Sequence, residues 1–285
     1  MGAAYLLFPT VRVEPLRPKP PHPTPSEDSM NGLRHSWKQP TGAFLFSARK
    51  HWIPDSRFFA SPPTVQDAML AQQKVLGATH FVVTAHVGPG RIKTLQWDGL
   101  KNLAATRAGL QRIIDADLAP ILFIASQSFP GAKDRAKLLR LIAKFVPRVE
   151  DLCSILVPMW EIGDVYRDEE TRKAIMRAVR KHTKKPIGVH ERSLEGAYER
   201  EVHGVAPTIQ LCQFGFKTDV KTATAFVKAT KRRLEKYGCV ISCFEHSIPP
   251  WGPWKSVRPT LAKAKAFGKA MIKAGCSGDM NGAAT

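Results

Sequence analysis

Two glutamates stand where apolar runs end. In "VPMWEIGDVY" Glu161 directly follows a strand-like run, with Trp160 beside it, and in "CVISCFEHSI" Glu245 does the same, followed by His246. Strict alternation along an extended chain puts Ile155, Val157, Met159 and Glu161 on one face, and Cys239, Ile241, Cys243 and Glu245 on another. Two carboxyl groups facing each other across a pocket can divide the work of glycoside hydrolysis. One is the acid/base and the other the nucleophile or base, and a separation of about 5–5.5 Å retains the anomeric configuration while about 6.5–9.5 Å inverts it. The plainer reading of Glu161 is a strand-end carboxylate held by a nearby arginine. Trp160, Trp251 and Trp254 could stack on pyranose faces, and "IPPWGPW" is either a rigid sugar-facing loop or a lid packed on the fold. His86, Gln127, His190, Gln213 and His246 also sit at the ends of apolar runs, placed to contact hydroxyls or to orient a carboxylate. A metal set built from His51, His86, His190 and Glu161 or Asp279 has no HxH after the first strand and no strand-end lysine, so no metal and no cofactor is expected.

The elements that must position these residues alternate. After "GAFLFSA" comes a helical pattern in "TVQDAMLAQQKVLG", with Val65, Ala68, Met69, Gln72 and Leu76 on one face. Strand patterns follow in "THFVVTAHVG", "APILFIASQSF", "SILVPMWE", "KPIGVHER", "TIQLCQFGF", "CVISCFEHSI" and the short "CSGDMNG". Between them lie helical patterns at 97–117, near 132–152 with an end or bend at Pro147, at 168–183, more weakly at 193–202, from Asp219 to Tyr237, and at 258–275. The strands are nearly unbroken apolar runs, as parallel strands covered on both faces must be. Such alternation predicts an α/β fold, a (β/α)8 TIM barrel over residues 41–285 that lacks the last outer helix. A doubly wound open sheet is the alternative, without the GxGxxG that would mark a dinucleotide site. In a barrel the strand C-termini form the working face, which is where the polar residues above fall.

Residues 1–40 differ. "VEPLRPKPPHPTPSEDS" is dense in proline and reads as an extended arm, either a loose tether or a segment that lies on other proteins of an assembly. A hydrophobic fraction of 44% excludes wholesale disorder of the rest. The five cysteines form no CxxC pair, which speaks against a zinc site and a disulfide framework. No apolar run is long enough for a membrane span, and no basic segment precedes the short apolar patch at the start, so no signal peptide is expected and the chain is expected to be cytoplasmic when made. The net charge of +19 suits an acidic partner. Residues 217–275 hold 13 Lys/Arg against 3 Asp/Glu. Much of this charge lies in helical patterns, where a solvated outer face explains it. No zinc-finger or RNP-type motif accompanies it, so nucleic acid is a partner without motif support.

On "PMWEIGD" and "CFEHS" the chain resembles the retaining TIM-barrel glycosidases whose catalytic glutamates follow strands four and seven, and it is similar to the glycosidase-like barrel proteins encoded by some bacteriophages. The resemblance implies a polysaccharide or glycan ligand, Glu161 as acid/base and Glu245 as nucleophile. It departs from the family where Trp160 replaces the Asn that many members carry before the acid/base. In families that read W-E-I-G-N-E, Asp164 and Val165 would take the Asn-Glu places, and the acid/base would be missing. The second reading is therefore a non-catalytic glycan-binding or structural part of an assembly, such as a phage particle. If the barrel is one domain with an arm outside it, limited proteolysis of the full chain should trim near Pro20–Ser29 and leave one folded core. Two stable halves on the gel would refute this.

Overall fold

The computed structural model describes residues 56–75, 78–88, 96–191, 209–214, 218–234, 240–246, 261–276 and 279–281. The arm, the run "GAFLFSA", the segment 193–202, Trp251 and Trp254 lie outside the described residues, as do the side chains of Glu245 and His246.

The described chain alternates as its sequence pattern demands. Helices α1 (Ser56–Ala60) and α2 (Pro63–Val75) precede β1 (His80–Val87), β2 (Trp97–Asp98), α3 (Leu103–Asp115) and β3 (Ala119–Ala125). Then come α4 (Arg135–Phe145), two 3₁₀ turns (Val146–Arg148 and Glu150–Leu152), β4 (Ile155–Met159), α5 (Ile162–Val165), α6 (Glu169–His182) and β5 (Gly188–Glu191). β6 (Ile209–Gln213), α7 (Val220–Leu234), β7 (Val240–His246), α8 (Leu261–Ala274) and β8 (Asp279–Asn281) complete the order. Helix starts follow local chemistry. The Asp134 carboxylate accepts from the Lys137 N–H ahead of α4, and Asp168 accepts from Thr171 N–H ahead of α6. Pro147 ends α4 in the 3₁₀ turn that follows it.

The sheets run β2–β1–β3–β4 and β5–β6–β7–β8. They meet where Leu156 N–H donates to the Pro186 carbonyl at 3.1 Å and Leu156 bridges Ile187 in parallel. Every pairing is parallel except that of β2 with β1. All eight residues of β1 are buried, including His80, Thr84 and His86 on one face. One sheet face carries Thr84, Phe123 and Val157 in register, continued by Gly188, His190 and Leu211. The other face meets helices. Phe81 packs on Phe58 of α1, and Cys212, Ile241 and Cys243 form a cluster with Ala223 and Val227 of α7 and Phe267 and Met271 of α8. Cys153, Cys212, Cys243 and Cys276 are all buried. Among the described residues of the last third, Lys221, Lys228, Arg232, Lys269 and Lys273 are exposed on α7 and α8. No helix among the described residues is long and apolar enough to cross a membrane.

Two expectations need correction. On α2, Val65 is 43% exposed, and the buried face is Gln66, Leu70 and Gln73. Gln66 turns inward because its amide donates to the Phe58 and Ser61 carbonyls, which ties α2 to α1. The helical pattern at 97–117 begins only at Leu103. Residues 97–98 pair antiparallel with the end of β1, and the Asp98 carboxylate accepts from the Leu100 and Lys101 N–H groups to form a turn instead.

Gly88, directly after β1, lies against the loop after β3. A Cβ there would sit 1.9 Å from the Ser128 carbonyl oxygen. Gly88→Ala should therefore push the two loops apart and lower stability by about 1–3 kcal/mol, as overpacking does. Chemical denaturation checks this, and an unchanged midpoint would contradict the contact.

Candidate active site

Polar residues from the ends of β3 and β5 meet Glu161 at the end of β4. β4 stops at Met159. Trp160 N–H still donates to the Ala125 carbonyl at 3.2 Å, but Glu161 turns into the left-handed region at φ 46° and ψ 55°. For a residue with a Cβ that conformation costs about 1–2 kcal/mol. It is held from both ends. The backbone N–H of Glu161 donates to His190 Nδ1 at 3.1 Å, and Gln127 Nε2 donates to Glu161 Oε2 at 2.5 Å. The carboxyl-bearing residue is 7% exposed. The alternation expected along 155–161 thus ends at Met159, because Glu161 belongs to the turn into α5 and not to the strand. In that short helix Asp164 is exposed and Val165 half-buried, so the buried carboxylate at the end of β4 is Glu161.

Trp160 lies within the core. Its ring stacks on Phe123 at 4.0 Å, its indole N–H donates to Thr84 Oγ1 at 2.9 Å, and the His190 ring meets it edge-on at 4.8 Å. Residue exposure is 5%. His190 is fully buried, and its Nδ1 accepts, which places the ring proton on Nε2. Burial lowers its pKa to about 3, so it is neutral.

His86 is also fully buried, and both its ring nitrogens meet backbone. Nδ1–H donates to the Ile124 carbonyl at 2.7 Å, and Nε2 accepts from Leu100 N–H at 3.1 Å. It therefore staples β1 to β3 and to the turn before α3. Burial drives its pKa to about 4, against smaller upward pulls from the Ile124 carbonyl and Asp98. Gln127 sits in the loop that Gly88 abuts, where Ser128 Oγ also pairs with Ser126 Oγ at 2.8 Å.

On the far sheet Gln213 is half-buried at the end of β6, and its Oε1 finds no hydrogen-bond partner among the described residues. The β6–β7 register runs Leu211↔Ser242, Cys212↔Cys243, then slips so that Gln213 pairs with Glu245. Simple alternation would group Glu245 with Ile241 and Cys243, which pack toward α7 and α8. The slip instead sets the Glu245 backbone opposite Gln213. Among the described residues no three His, Cys, Asp or Glu side chains converge as a metal site.

The fold has solved relatives. It is similar to the GH113 β-mannanase of Alicyclobacillus acidocaldarius (11% identity over 79% of this chain and 82% of that one, TM-score 0.54). It is likewise similar to a family 5 glycoside hydrolase mannosidase of Rhizomucor miehei (11%, 76% and 75%, TM-score 0.58) and to a β-glucosidase (12%, 79% and 78%, TM-score 0.56). These neighbours are TIM-barrel glycoside hydrolases, and at such identities the likeness is one of fold. No protein-family model and no curated protein matches the chain.

Three buried histidines set an acid limit. His80 and His86 are lowered to about 4 and His190 to about 3, all chiefly by burial, from an ordinary 6.5. Between those values and 6.5 the unfolded chain binds protons that the folded chain refuses. Their stabilisation is therefore complete above pH 6.5 and is lost as pH falls toward 4. Calorimetry should show Tm falling steeply from pH 6 to 4. A level Tm across that range would rule this out.

Proposed function

We propose that the chain is a glycoside hydrolase of the paired-glutamate, retaining type that acts on a polysaccharide, with Glu161 as acid/base and Glu245 as nucleophile. The observation that carries the reading is Glu161 itself: a carboxylate at the C-terminal end of β4, buried, hydrogen-bonded and held in a costly backbone conformation. Strain of this kind clusters at functional sites. The register slip that puts Glu245 opposite Gln213 at the end of β7 supports its role, and the fold of the solved neighbours supports the class.

In the first step the Glu245 carboxylate attacks the anomeric carbon, and the glycosidic C–O bond breaks as Glu161 gives its proton to the departing oxygen. A glycosyl ester on Glu245 remains. In the second step the Glu161 carboxylate takes a proton from water, whose oxygen attacks the same carbon and releases Glu245. Gln213 Oε1, without a hydrogen-bond partner among the described residues, would accept a substrate hydroxyl. Because the neighbours include mannanases, a mannosidase and a β-glucosidase, β-linked mannans and glucans are the first substrates to try.

Glu245→Gln should abolish turnover. Glu161→Gln should cost about 10²–10⁴-fold on natural glycans, and far less on activated aryl glycosides whose leaving group needs no proton. If neither substitution alters hydrolysis of any glycan tested, the reading is wrong.

A further inference from the structure

We propose that Gln127 is a positioning residue that serves Glu161 in both of its proton states, so that one carboxyl group can act as acid and then as base without losing its place. This rests on the glycosidase reading above. As the structure stands, Gln127 Nε2 donates to Glu161 Oε2. That contact suits the carboxylate. When Glu161 carries a proton its O–H must donate, and an amide rotated by half a turn offers Oε1 in the same place. The terminal torsion of glutamine is broad and roughly two-fold, so the exchange moves little else. Lys or Arg at this position could only donate and would hold Glu161 ionised. Asp or Glu would compete with it for the proton.

The surroundings make the amide the adjustable part. Gln127 rests on the loop pressed against Gly88, and the backbone of Glu161 is fixed to His190 Nδ1. His190, packed against it from β5, is neutral, and Asp164 of α5, whose N–H donates to the Glu161 carbonyl at 3.0 Å, is exposed. Neither of these two brings a buried charge against the carboxyl. Glu161 is fixed at its backbone, and Gln127, which meets Oε2, can reverse its polarity.

The test is a ¹³C NMR titration of the Glu161 side-chain carboxyl in full-length protein, assigned by its loss in Glu161→Gln and run beside pH profiles of kcat/KM. Gln127→Lys should lower the titration midpoint by about one pH unit or more. It should also cost about tenfold or more on unactivated glycans while sparing activated aryl glycosides. Gln127→Leu, which removes the donor, should raise the midpoint and move the alkaline limb of the profile with it. Gln127→Glu should raise it too, and serves if the leucine variant does not fold. A midpoint unmoved in all three overturns the proposal. Shifted midpoints in a protein that cleaves no glycoside would support the Gln127–Glu161 coupling and defeat the glycosidase reading instead, because the titration needs no turnover.

Discussion

The hydrogen bond from the Glu161 backbone N–H to His190 Nδ1 joins the two sheets at their working edge. It can form only if the histidine is neutral and presents Nδ1 as an acceptor, and burial keeps the ring in that state. At the same residue the chain leaves β4 in the left-handed region and turns into α5. The rest of the site is arranged around this contact. Phe123 and Trp160 wall the imidazole in, and Thr84 fixes the indole from two strands away. Gly188, on the same face, leaves room where a Cβ would come within 2.9 Å of Val157 Cγ2.

The first sheet thus positions both Gln127 and Glu161. Its core runs continuously from Phe58 to Leu211 and crosses the β4–β5 junction. Leu211 belongs to that core, while Cys212, the next residue, belongs to the α7–α8 cluster, because the two point to opposite faces of β6. β4 and β7 consequently pack in different layers, which β5 and β6 join.

How much of this could be read from the chain depends on which physical rule governs each part. The parallel strands were legible because burial on both faces keeps them largely apolar, and the β4, α6 and α8 patterns match their elements closely. The buried face of α2 was not legible, since Gln66 goes inward for hydrogen bonds that no periodicity announces. Glu161 was legible as a strand-end carboxylate but not as a left-handed residue, because nothing in Trp-Glu-Ile marks a positive φ. The pairing of Gln127 with Glu161 could have been anticipated, as both follow neighbouring strands. The slip between β6 and β7 could not, because the extra residue has no glycine to betray it. The Pro-rich arm and the Trp-rich segment rest on sequence alone.

The distribution of thiols gives the chain an internal set of reporters. Cys153 is embedded in the larger core, where burial pushes its thiol far up from its usual range, while Cys212, Cys243 and Cys276 all belong to the layer under α7 and α8. In the folded state none presents a reactive thiolate to solvent. Alkylation of these four of the five cysteines thus records opening events, not surface chemistry, and the order in which they are capped tells which layer breathes first. If the α7–α8 layer loosens on its own, Cys212, Cys243 and Cys276 will label together while Cys153 stays silent, and β7 will have been shown to move without the core that Glu161 adjoins.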